Sequence, residues 1–414
     1  MTPESSARPW RSALVGALVS LGLWISDVWS LGRLSFAGAS DAEVQKRVVG
    51  AASGSLFSLE AQLGFSHVAF GISVGLLTYY AVRGYARRLD MAIERPSLFA
   101  GSTTLAVHVL ALLGMVARYP QLFADRWWLG GGLTASLQRF VTHELGPAIF
   151  DGLLLVVFGA LAIGVAIEGI PVLVRAMSSQ AVGKLALPAA AVLVLSSLGA
   201  GKGSPRPDAP PDVLILAADS LRSDRLESPD VMPFAASLAG KGTLFRYAFT
   251  PIARTYPSWV STLTGTEPRT NGVRHMFPTL ESRAPMATSF FTELRDQGYY
   301  TFVVSDFAGD VFHGFEAGFE TLDTPTLNVD TLVASTVLAS HRWALPMLRF
   351  RIMRKLFPVW RNLPNLADPE WLVDEALEHI DAASERPYAG LVFFSTAHFP
   401  YAAPYPDYLR DGSD

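Results

Sequence analysis

Three short stretches in the second half of the chain place oxygen and nitrogen groups where chemistry could use them. The first is Asp219-Ser220-Leu221-Arg222-Ser223-Asp224, directly after the apolar run Val213–Ala218. A carboxylate at a strand end can ligate a cation, but Asp and Ser are equally good helix N-caps, and spacing alone leaves both open. The second is Arg254-Thr255-Tyr256-Pro257-Ser258-Trp259-Val260-Ser261-Thr262-Leu263-Thr264-Gly265. Pro257 suits a first helical turn and puts Thr255 near a helix N-terminus, where free N–H groups and the helix dipole favour an anion. A hydroxyl there, beside a divalent metal, can be deprotonated and act as a nucleophile. By spacing alone, an N-cap is the commoner role. The third is Thr396-Ala397-His398-Phe399-Pro400-Tyr401, after the apolar run 391–394. A His at a strand end can bind an oxyanion, protonate a leaving group or hold a metal; lone histidines are more often structural.

These residues need elements to position them. Val213–Ala218 is a continuous apolar run of the kind buried on both faces in the middle of a parallel sheet. Further strands are predicted at 244–249, 301–304 and 391–394, and helices at 233–239, 286–297 and 371–383. Alternating strands and helices predict an α/β domain over 212–414. Residues 201–211, rich in Pro and Gly, read as a tether.

Of the 414 residues, half are hydrophobic and 17% are charged, with a mean hydropathy of +0.29. Soluble domains carry about 25% charged residues. The composition therefore excludes a disordered or nucleic-acid-binding chain and argues against a purely soluble enzyme. The absence of cysteine excludes disulfides, thiolate chemistry and Cys-type zinc sites. Charge divides unevenly: residues 1–200 carry 14 basic and 11 acidic side chains, and residues 201–414 carry 19 and 26.

Five apolar runs, at 10–31, 66–82, 97–116, 149–174 and 185–200, approach the roughly 20 residues that a membrane-spanning helix needs. Little polar sequence is available to cover them, which favours a transmembrane domain over 1–200 rather than buried core helices. Arg8 and Arg11, then Arg83, Arg87, Arg88 and Arg95, then Arg175 and Lys184 mark alternate connections. That alternation predicts a cytoplasmic N-terminus, and five spans then place 201–414 outside the cytoplasm. Arg8 and Arg11 before the first run, with Ala37-Gly38-Ala39 after it, outline a signal peptide, but the run is longer than usual and a multi-span protein needs no cleavage.

In this order the three stretches resemble the alkaline phosphatase/sulfatase superfamily. Asp219 with Leu221-Arg222-Ser223-Asp224 is similar to its first metal-binding segment. Thr255-x-Pro257-Ser258, continuing through Thr264-Gly265 and Pro268 to Asn271-Gly272-Val273, is similar to its nucleophile segment, and His398-x-Pro400-Tyr401 to a later substrate-contacting histidine. The resemblance implies Thr255 as nucleophile, Asp219 and Thr255 as metal ligands, and His398 as substrate anion contact or general acid. Arg222, Asp306 and His275 are implied as possible substrate contacts. The cofactor implied is a divalent metal, with Zn, Mn, Mg and Ca not distinguished. A sulfatase writes Cys or Ser where this chain has Thr255, and Arg where it has Trp259. Threonine cannot become the formylglycine aldehyde.

An unmodified Thr behind about five spans resembles the lipoteichoic acid synthases and lipid A phosphoethanolamine transferases. That resemblance implies a phosphotransferase or phosphodiesterase of a bacterial-type inner membrane, working on a lipid or cell-envelope glycan at the bilayer. Sulfuric ester hydrolysis and a degenerate, non-catalytic domain are the alternatives. The superfamily's downstream Asp-His pair has no counterpart in 201–414, which leads to the expectation that the domain is truncated. Two further segments stand out. Asp306, in Ser305-Asp306-Phe307-Ala308-Gly309-Asp310, follows a predicted strand. Residues 349–357 form a basic amphipathic run that suits either anionic headgroups or a solvated helix face.

Overall fold

The computed structural model describes residues 8–31, 53–123, 136, 140–177, 210–226, 228–277, 288–363, 366–383 and 385–398. The first half holds α1 (Pro9–Leu31), α2 (Ser53–Arg88), α3 (Pro96–Arg118) and α4 (Pro147–Met177). In the second half come β1 (Val213–Ala218), α5 (Pro233–Ala239), α6 (Thr255–Thr264), α7 (Phe290–Asp296) and β2 (Tyr300–Ser305). They are followed by β3 (Thr321–Asp323), α8 (Val329–Ser340), α9 (Arg351–Leu356), α10 (Pro369–Ala382) and β4 (Tyr388–Phe394). The chain forms two compact units, one of Met1–Lys202 with Leu332–Phe357, the other of Gly203–Thr331 with Pro358–Asp414.

Within the helical unit, α1 to α4 are each long and apolar enough to cross a membrane. Close approach of glycines sets their register: Gly16 of α1 meets Gly71 of α2, Ser12 meets Gly75, and Trp24 meets Gly64, so α1 and α2 run antiparallel. Small residues permit such contact where no water drives helices together. Gly101 of α3 meets Val15 and Val19, near the start of α1. Arg83 and Arg87 of α2 hold Glu168 of α4 at 2.9 and 2.7 Å. The helix expected at 66–82 is longer than its apolar run, because Glu60, Gln62 and Arg83 continue the same helix on either side. The expected fifth span at 185–200 lies outside the described residues.

The second piece of this unit was not anticipated as part of it. The main-chain N–H of Trp343 donates to Asp27 Oδ2 at 2.8 Å. Arg342 Nε lies 3.4 Å from Asp27 Oδ1, and His341 Nε2 lies 3.2 Å from Glu60 Oε2. Phe350 packs on Phe70 with ring centroids 6.1 Å apart.

The other unit is built on a four-stranded parallel sheet in the order β1-β4-β2-β3. β4 and β2 are the buried centre, and Gly390 leaves room for the ring of Phe302. Trp259, Phe312, Phe393, Phe291 and Val303 form the core on one face. Two strand expectations are corrected. Among the described residues β1 is an edge strand, not a central one: Val213, Ile215 and Ala217 pack on the core while Leu214 and Leu216 are exposed. Residues 244–249 form no strand, since no neighbouring strand lies beside them among the described residues, and Phe245, Tyr247 and Phe249 are exposed.

Candidate active site

The parallel order brings the carboxyl ends of β1, β4 and β2 to one edge, where α/β sheets gather ligands. The N–H of Asp219 donates to Phe394 O at 2.8 Å, extending the β1–β4 ladder by one residue and fixing Asp219 at that edge. Ser220 then takes φ +59°, a left-handed conformation uncommon for a residue with a side chain. This turns the chain sharply away and leaves the carboxylate at the strand end.

Thr255 is the first residue of α6, and Arg254 before it is extended and makes no side-chain cap. The helix is amphipathic: Tyr256, Trp259, Val260 and Leu263 are buried at helical spacing. Trp259 packs 5.2 Å from Phe312 and 5.1 Å from Phe393, ring centroid to centroid, and the Tyr256 hydroxyl donates to Gly314 O at 3.0 Å. At the far end Gly265 adopts φ +65° and closes the helix. Thr255 is thus presented by a helix anchored along one face, with its Oγ1 3.4 Å from Asp219 Oδ2.

Asp219, Thr255 and His398 line one cleft of about 610 Å³, together with Thr250, Ser258 and Trp259. The hydroxyls of Thr250 and Ser258 lie 2.8 Å apart. His398 is seated by its main-chain N–H donating to Ser395 O at 2.9 Å and by an edge-on contact with Phe307, centroids 5.8 Å apart. The Thr250–Ser258 hydroxyl pair was not singled out from sequence, because Thr250 closes a segment that reads as a strand.

The other expected contacts lie elsewhere. Arg222 forms a two-point pair with Asp224 at 2.9 Å, is largely exposed and lies outside the cleft lining. That pairing raises the guanidinium pKa and lowers that of Asp224. His275 is exposed, and only its neighbour Met276 reaches the cleft. Asp306 is 2% exposed and turns inward, with the Ser395 N–H 3.5 Å from its Oδ2. Burial pushes its carboxyl up to about 6, opposed by hydrogen bonds from Ser395. Among the described residues no three His, Asp or Glu side chains converge as a metal group. Asp219 and Thr255 supply two oxygens, short of a complete site.

The parallel α/β sheet thus brings a carboxylate at one strand end beside a hydroxyl at the head of the adjoining helix. The family model described as Sulfatase matches residues 211–414, so the chain carries a sulfatase-family domain over that stretch, behind an N-terminal region of apolar helices. Sulfatase-family domains generally bind a divalent metal ion. No curated protein and no solved structure matches the chain significantly.

Proposed function

We propose that the protein is a membrane-anchored phosphotransferase or phosphodiesterase that acts on phospholipid-type phosphodiesters through Thr255, with its α/β unit outside the cytoplasm. The observation that carries this reading is the hydroxyl of Thr255 at the head of a buried-faced helix, 3.4 Å from the Asp219 carboxylate, in a cleft shared with His398. Asp219 accepts the hydroxyl hydrogen and orients Oγ1. The oxygen attacks phosphorus, the bond to the leaving alcohol breaks, and phosphothreonine forms. His398 donates a proton to the departing alkoxide. A second alcohol, or water, then gives its proton to His398 and displaces Thr255, whose Oγ1 takes back the proton held by Asp219, so both groups are restored. The helix start favours the anionic phosphoryl group, and apolar helices in the bilayer hold a lipid donor close.

The experiment is intact-mass analysis after incubation with phosphatidylethanolamine or phosphatidylglycerol vesicles. A phosphoryl-type adduct on Thr255, absent in Thr255→Ala together with at least a thousandfold loss of turnover, is the expected result. Full activity in Thr255→Ala with no adduct overturns the reading. The family description favours sulfuric ester hydrolysis as the second reading; sulfate release from an aryl sulfate with no phosphodiester turnover would establish it. Inactivity toward both substrate classes would leave the non-catalytic alternative.

A further inference from the structure

The helical unit buries an imidazole with only one of its two nitrogens engaged. His67 of α2 is 1% exposed. Its Nδ1 lies 2.8 Å from Leu63 O; a carbonyl only accepts, so Nδ1 carries the hydrogen and, in the neutral ring, Nε2 keeps its lone pair. That Nε2 is buried and has no hydrogen-bond partner among the described residues, a costly state for an acceptor. The ring is held by the bond to Leu63 and by His108 of α3, stacked on it with centroids 6.1 Å apart.

His67 lines a cavity of about 10 Å³ shared by α2 and residues 338–357 of the same unit, room for one water or one bare ion. The wall also carries two thioethers, Met347 and Met353, with Leu338 and Phe357 beside them. Local structure brings the two sulfurs to one place. Met347 lies in the tight turn Leu345–Arg349 and Met353 in α9. Arg354 Nε donates to Leu348 O at 2.5 Å and closes the helix back on that turn. The other polar side chain on the wall is Ser66. A water there meets two polar side chains, the minimum for a buried water, and turns its remaining capacity on hydrocarbon and sulfur. Methionines that merely fill a gap leave the imidazole nitrogen unused and the cavity beside it open.

We propose that this cavity is a Cu(I) site, with His67 Nε2 and the sulfurs of Met347 and Met353 as ligands. Thioethers are soft and select Cu(I) over harder cations. The imidazole supplies the nitrogen, its tautomer fixed by Leu63 O in the way a metal-bound histidine requires. All three ligands are neutral, and an apolar wall accepts the single charge of Cu(I) at less cost than a dication. Two of the three ligands are methionines, which agrees with the absence of a three-member His, Asp or Glu group among the described residues. Ligation ties residues 347–353 to α2 and is independent of the chemistry at Thr255.

The test uses the full chain purified in detergent, with Cu(I) kept reduced by ascorbate and competed against a chromogenic Cu(I) chelator. One Cu(I) per chain should be retained, and it should raise the melting temperature. X-ray absorption at the copper edge should show sulfur as well as nitrogen; the chain has no cysteine, so sulfur at the metal means thioether. Met347→Leu and Met353→Leu conserve volume and should each weaken retention by about tenfold or more, a loss that even an outer partner of a metal ligand causes. His67→Gln should abolish it. No retained Cu(I), coordination by nitrogen alone, or wild-type affinity in both Leu variants overturns the proposal, and the Leu variants stay readable if His67→Gln fails to fold. Zn(II) held at these residues as tightly as Cu(I) would overturn it too, since thioethers do not favour that ion. Thr255→Ala should retain Cu(I) as the wild type does, so failure of the catalytic reading is distinguishable from failure of this one.

Discussion

At the scale of single residues, the groups that could do chemistry were legible wherever their neighbours in sequence also fix their geometry. Thr255 precedes Pro257, the helix begins at Thr255, and Asp219 follows an apolar strand and stands at its end. Arg222 was not legible in the same way. Its partner is two residues away, and a guanidinium that finds a carboxylate at 2.9 Å locally is engaged there rather than in the cleft. Asp306 was placed correctly after a strand, but sequence gives no sign that it turns inward. Its burial has a measurable consequence. A carboxyl held at about 6 when folded and near 3.8 when unfolded binds its proton more tightly in the folded state. The stability this contributes is fully present below about pH 4 and is lost as pH rises through 6, a swing of about 3 kcal/mol. Asp306→Asn keeps the shape without the charge. It should raise the melting temperature by several degrees at pH 8, with the gain shrinking toward pH 5. Thermal melts of both proteins across that range check this, and parallel curves would show that Asp306 is not the titrating group.

Elements were legible from periodicity where a partner exists to reward it. β2, β4 and α10 lie within a few residues of their predicted bounds because their apolar faces are buried against neighbours. The run at 244–249 has strand-like composition, but a strand without a hydrogen-bonding neighbour is not stable in water, and none lies beside it among the described residues. β1 has the composition of a central strand and, among the described residues, the position of an edge strand, since composition reports which faces tolerate burial and not which are covered. In the helical unit the crossing of α1 and α2 depends on Gly16, Gly71 and Gly75 rather than on hydropathy. A Cβ at Gly71 would strike the carbonyl of Gly16 and the hydroxyl of Ser20, both on a helix that cannot give locally. Gly71→Val should therefore force the two helices apart. The expected result is a fall of at least several degrees in the melting temperature of the detergent-solubilised protein, whereas Gly22→Val, with open space around it, should leave it within a degree or two. Equal effects at the two positions would remove the glycine contact as the determinant of the crossing.

At the scale of the whole molecule, the sequence division at residue 200 left out one excursion, because no periodic signal announces that 332–357 packs on helices whose contacting residues lie 281 and 316 positions upstream. That excursion bears on the membrane topology. Trp343 and His341 meet Asp27 and Glu60, the end of the helical unit where α1 finishes and α2 starts. α4 ends elsewhere: it packs along α2 in the same direction, Gly164 beside Ala81 and Glu168 beside Arg87, so Met177 lies toward the end where α2 finishes. On the proposed topology the apolar run at 185–200 would be the further span expected from sequence. On the proposed orientation, the end bearing Arg8, Arg11, Arg83, Arg87, Arg88 and Arg95 is cytoplasmic, and residues of the α/β unit should be reachable from outside the cytoplasm. The chain has no cysteine, so single cysteines report sidedness without background. Lys241→Cys, at an exposed position in the α/β unit, should react with a membrane-impermeant maleimide on intact spheroplasts of an expression host. Arg88→Cys, exposed at the end of α2, should react only after permeabilisation. Labelling of both in intact spheroplasts, or of Arg88→Cys alone, would reverse or abolish the proposed orientation, and with it access of the cleft to any extracytoplasmic acceptor.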